Sequence, residues 1–158
     1  MADSPFMSLR QLLKQELAVT VALLETLDNE HEALGNREPE RVKALLETKE
    51  RQVAEFERIE WQRKTLLAQM DVAENNDEIR RFLASDKQHG EELVALWDRL
   101  IETAARCRER NQANGSLVEI HRRHVQRALD ILRGTQPPPT YGPQGQTQGN
   151  DTHSLAKA

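Results

Sequence analysis

From Leu93 to Leu132 the positions Leu93, Trp97, Leu100, Ala104, Cys107, Asn111, Asn114, Val118, His121, Val125, Ala128 and Leu132 follow one another at alternating steps of four and three. Side chains that return at that interval stay on one face of an α-helix. The series runs straight through "NQANG", residues 111–115, although Asn-Gly is the strongest short turn signal in a sequence. A turn there would reset the phase, and the phase does not reset. The pattern predicts one helix from about Asp86 to Leu132, with Gly115 inside it at a cost of about 1 kcal/mol relative to Ala; a break at Gly115 would make the match of phase accidental. Ser85, with Gln88 three residues later, offers a capping box at its start.

Two other periodic stretches precede it. Phe6, Leu9, Leu13, Leu17, Leu24, Leu27 and Leu34 mark a first helix behind Ser4 and Pro5, ended by Gly35-Asn36. Pro39 opens a second, carrying Val42, Leu45, Leu46, Val53, Phe56, Ile59, Leu66, Leu67 and Met70, and a short amphipathic piece with Ile79, Phe82 and Leu83 follows. Leu, Ala, Glu, Gln, Arg and Lys dominate these stretches, and 37% hydrophobic against 30% charged residues is too polar for a thick, rounded core. The fold class is all-α: an elongated antiparallel three-helix coiled-coil bundle over residues 1–133, with a long third helix. Residues 134–158 hold four of the seven glycines and four of the six prolines, a composition that predicts a flexible, disordered tail.

Steps of seven from Val42 reach Lys49, Phe56, Arg63 and Met70, so two cations join the two asparagines in apolar seams. Lys49, Arg63, Asn111 and Asn114 are thereby candidates for setting the register. In an antiparallel pair Lys49 falls near Asn111, where an ammonium can donate to an amide oxygen; alternatively the long side chains bury their stems and send their heads to water. On the first arrangement Lys49→Leu leaves the fold as stable or more so.

No catalytic pattern accompanies these helices. Glu-x-x-His pairs, G-x-S-x-G, a P-loop and G-x-G-x-x-G are all missing, and the carboxylates are spread among Lys and Arg on helix surfaces. His121 and His124 are three apart, but no third ligand is indicated, Cys107 lying about 21 Å along the same helix; His121 reads as a seam residue. The expectation is no enzyme, no metal and no cofactor. No apolar run is long enough for a membrane span, the N-terminal stretch lacks the pattern of a secretory signal, and a single cysteine suits a reducing compartment, so a cytoplasmic location without stable membrane insertion is expected. Seven arginines between Arg106 and Arg133 face three acids. Without interleaved aromatics they do not make a nucleic-acid site, and cations there suit the end of a helix.

The order of Lys49 and Arg63 within "LETKERQVAEFERIEWQRKTLL", "NQANG" in the last helix and "TYGPQGQ" in the tail resembles the FlgN-type flagellar export chaperones over roughly residues 9–148. The resemblance implies a non-enzymatic cytosolic chaperone that holds hook-filament junction proteins by their C-terminal helical segments and presents them to the type III export apparatus. A self-associating structural coiled coil and, less favoured, a helical nucleic-acid-binding module are the other classes that fit such helices. A monomer or weak homodimer is expected.

A helix from Asp86 to Leu132 is about 70 Å long against about 45 Å for each of the other two, so its far end should outrun its partners. That end is apolar: Leu117, Val118, Ile120, Val125, Leu129, Ile131 and Leu132 form a stripe wider than a two-helix seam requires. Leu117, Ile120, Val125, Leu129 and Leu132 are therefore the expected client contacts. Tyr141, the lone tyrosine, is either an idle residue or an anchor for the export machinery.

Overall fold

The computed structural model describes residues 4–134, and every regular element among them is helical. Among the described residues there are four helices, the short amphipathic piece standing as one beside the three long ones: α1 (Pro5–Gly35), α2 (Pro39–Gln69), α3 (Asn76–Ala84) and α4 (Gly90–Leu132). Gly115 lies inside α4. Tyr141 and the rest of the tail fall outside the described residues. The chain divides into two units, residues 1–115 and 116–158.

Prolines open α1 and α2, where a missing N–H costs nothing. Both helices close in the same way. Past α1, Arg37 turns left-handed (φ 56°), its N–H donates to Leu34 O, and the Glu38 N–H reaches back to Ala33 O at 3.0 Å. Past α2, Asp71 does the same (φ 56°), with Val72 N–H on Leu67 O at 3.0 Å. These are Schellman closures made without the usual glycine.

The capping box expected at Ser85 and Gln88 does not form. Ser85 is instead the C-cap of α3, its hydroxyl donating to Phe82 O, and Asp86 accepts the His89 N–H at 2.9 Å. The last helix therefore begins at Gly90, four residues later than its periodicity suggests. Asn75 caps α3 by accepting the N–H groups of Asp77 and Glu78, and Asp77, Glu78 and Arg81 suit its dipole.

Within the first unit, polar contacts give the helix directions. Arg63 of α2 meets Glu16 of α1, and Lys49 meets Glu30, so α2 runs antiparallel to α1. Arg10 meets Glu92, Thr20 meets Cys107 and Asp28 meets Arg110, so α4 runs parallel to α1. The main apolar core collects Leu9, Leu13 and Leu17 of α1, Leu67 of α2, Ile79 and Leu83 of α3, and Leu93, Trp97 and Leu100 of α4. Phe82 of α3 stacks on Phe6 with centroids 5.0 Å apart. The short amphipathic segment is thus a full partner in the core.

Two glycines separate packing from propensity. A Cβ on Gly90 would stand 2.8 Å from the backbone oxygen of Ala84, whereas one on Gly115 would meet nothing within 4 Å. Gly90→Ala is expected to lower stability by about 1–3 kcal/mol despite alanine's better helix propensity, and Gly115→Ala to raise it by up to about 1 kcal/mol. Urea denaturation of the two variants checks both signs.

Candidate functional site

The α1 seam is not purely apolar. Leu9, Glu16, Leu23 and Glu30 repeat at sevens, interleaved with Leu13, Thr20, Leu27 and Leu34. Glu16 and Glu30 are fourteen residues apart, as are Lys49 and Arg63 on α2, so in an antiparallel pair both acids meet cations at once. The structure realises both pairs. Arg63 forks Glu16 at 2.7 and 3.1 Å, and both side chains are nearly inaccessible, 7% and 1% exposed. Its guanidinium carbon also stands 5.0 Å from the centroid of the Trp97 ring, and Trp97 Nε1 donates to Asn76 Oδ1 at 2.6 Å. One arginine therefore links α1, α2, α4 and, through the indole, α3. Burial pushes the Glu16 carboxyl above its ordinary value, against the opposing pull of the Arg63 hydrogen bonds and charge.

The second pair anchors a wider network. Glu30 accepts Lys49 Nζ at 3.0 and 3.3 Å and Asn114 Nδ2 at 2.8 Å; the same amide nitrogen donates to Leu27 O at 2.9 Å. His31 Nδ1 lies 2.8 Å from Asn114 Oδ1, which must accept, so the proton sits on Nδ1. Asn114 is buried and Asn111 is exposed. The pairing expected between Lys49 and Asn111 does not form: the ammonium of Lys49 donates to the buried carboxylate of Glu30, a stronger acceptor than an exposed amide oxygen.

Between these two pairs the first unit is incompletely filled. α2 contributes only Ile59, Arg63 and Leu67 to the buried set, none of them from its first half. Thr20, Leu23 and Leu27 of α1, Lys49, Val53 and Phe56 of α2, and Ala104, Cys107, Arg108 and Asn111 of α4 line an open groove of about 470 Å³. Cys107 lies against Thr20 O, and burial raises its thiol above the ordinary value. Groups of three or more His, Cys, Asp or Glu able to hold a metal do not occur among the described residues.

The second unit is described from Ser116 to Gly134. Here Leu117 is half-buried and Ile120, Val125, Leu129 and Leu132 are exposed, Val125 at 59% and Leu132 at 82%. At 100° per residue these side chains, with Val118 and Ile131, spread over about half the helix circumference. Arg122 and Arg123 both pair with Glu119, which holds that carboxyl below its ordinary value.

Comparison with known proteins places the chain in a family. Residues 1–149 match the family model described as FlgN protein. The chain belongs to the FlgN family. It is similar to the flagella synthesis protein FlgN of Salmonella typhimurium and to that of Salmonella typhi, at 29% identity over 94 residues, which is 60% of this chain and 66% of theirs. The aligned stretch thus spans just under two thirds of those relatives. A crystal structure of a FlgN protein from Pseudomonas aeruginosa superposes with a TM-score of 0.67 at 30% identity, over 75% of this chain and 90% of that one. The all-helical architecture of the described residues agrees with the likeness to that structure, and the Salmonella relatives carry the name of flagella synthesis proteins.

With Glu30 as its partner, Lys49 no longer reads as a replaceable polar residue. Its loss leaves a buried carboxylate with one amide donor. Lys49→Leu in this FlgN-family chain is expected to cost about 2 kcal/mol in urea denaturation at neutral pH; unchanged or increased stability would mean that Glu30 does not depend on it.

Proposed function

We propose that this FlgN-family protein is a cytoplasmic type III export chaperone. It binds the C-terminal helical segments of flagellar hook-filament junction proteins, keeps them unassembled, and delivers them to the export apparatus. The observation that carries this reading is the uncovered apolar stripe of α4. A subunit whose terminal helices pair in the finished filament exposes an apolar face while it waits, and a helix with half its circumference apolar covers such a face. Leu117, Ile120, Val125, Leu129 and Leu132 are the proposed client contacts, and the arginines among them attract acidic groups on the client. Tyr141 is the proposed contact with export components. The protein acts as a monomer or weak homodimer, without catalysis, nucleic acid or stable membrane insertion; none of the described helices is long and apolar enough to cross a membrane.

Leu129→Asp with Leu132→Asp tests the assignment. Both side chains are exposed, so helicity and melting temperature should stay nearly unchanged. Calorimetric affinity for a junction protein's C-terminal segment should fall at least about 100-fold. A collapsed melting temperature would make the stripe core, and surviving affinity in a folded variant would place the site elsewhere. A wild-type dimer abolished by the variant, with no client affinity, would make the stripe a self-association surface.

A further inference from the structure

The groove in the first unit is not needed for the stripe to bind a client, and its surroundings say what kind of element it accepts. On α4, Trp97, Ile101, Ala104, Arg108 and Asn111 lie on one face at steps of four and three. On α2, Arg63, Phe56 and Lys49 share a face at sevens. The start of this shared strip is already occupied. Arg63 stacks on Trp97, and α3 covers Trp97 through Asn76 while its Ile79 and Leu83 enter the core. Beyond that point the cover stops. Ile101 is 43% exposed, and Val53, Phe56 and Ala104 open into the groove. Its apolar floor is therefore the continuation of a surface that elsewhere in the same unit is closed by a nine-residue amphipathic helix.

The charged side chains that line the groove are both cations. Lys49 and Arg108 are the charged residues of the lining, with no acid among them; Lys49 is held by Glu30, while Arg108 has no ion pair among the described residues. We propose that this groove seats a short amphipathic helix of a partner protein, inserting apolar side chains at i, i+3 and i+4 and presenting an acidic face to Arg108 and Lys49. The anchors follow the spacing of Ile79, Phe82 and Leu83. Acidic groups at the rim neutralise cations that a basic helix would repel.

A fluorescein-labelled helical peptide of roughly four turns tests this with the full-length protein. It carries Ile, Phe and Leu at the α3 spacing and glutamate elsewhere, and a second peptide replaces each glutamate by lysine. Anisotropy should show the acidic peptide binding with a Kd of about 10–100 µM and the basic one at least tenfold more weakly. Ala104→Trp fills the groove and should weaken the acidic peptide at least tenfold, with circular dichroism reporting its fold. Arg108→Glu, at an exposed side chain, gives the same direction without touching the packing, by about fivefold or more. The Leu129→Asp, Leu132→Asp variant should bind the peptide as wild type does, which separates this site from the proposed client stripe. Equal affinity for the two peptides, insensitivity to both groove variants, or no binding at millimolar peptide would overturn the proposal. So would a wild-type dimer that Ala104→Trp dissolves, since the occupant would then be a second copy.

Discussion

Everything in the first unit is arranged around the pairing of Glu16 with Arg63. An ionised carboxylate 1% exposed would be untenable alone, because transfer from water costs several kcal/mol even after relaxation. The guanidinium meets it with two parallel hydrogen bonds and then spends its flat face on Trp97. The indole in turn fixes Asn76 at the start of α3. Lysine in place of Arg63 could match neither the fork nor the stacking. Two heptads away Glu30 and Lys49 repeat the pairing with Asn114 as a third member. If α2 slipped by one heptad along α1, Glu16 would face Phe56 or Met70, and Glu30 would face Val42 or Phe56. Each slip strands buried charge, while the three residues between α1 and α2 leave little slack for it.

The same arrangement limits how tightly the helices can fill. Side chains given to charge pairs are not available as apolar filler, and between the two pairs the small or polar Thr20, Ala104 and Cys107 leave a groove. At the other end, leucines and α3 close the core. Stability and an open apolar surface thus sit in one unit without conflict. α4 supplies a second apolar surface in residues 117–132, and its exposure is consistent with a family whose relatives serve flagellar synthesis.

Much of the helical organisation is written in spacing. Pro39, the unbroken phase through Gly115 and the leucines of α1 each define an element before any coordinates are known. What escaped has physical reasons. Glu16 and Glu30 look like solvated face residues unless their fourteen-residue interval is set beside that of Lys49 and Arg63. Gly90 starts α4 because of contact with the backbone of Ala84, which no periodicity encodes. Arg37 and Asp71 take left-handed closures usually given to glycine. Asn111 and Asn114 occupy equivalent steps of the pattern, yet one is exposed and the other buried, because only Asn114 lies within reach of Glu30 and His31. The groove was hidden for a related reason: Val53 and Phe56 fall in the apolar pattern of α2, and only the packing of the described residues reveals that they line an open groove.

Glu16 and Arg63 are stable in the interior only together. A double-mutant cycle with Glu16→Leu, Arg63→Met and the two combined, followed by urea denaturation at neutral pH, measures this directly. Each single change should cost about 3–5 kcal/mol by leaving its partner charged and buried. The double variant should recover most of that loss, with a coupling of a few kcal/mol. If the double variant loses the sum of the two singles, the charges act independently and the pair does not organise the fold.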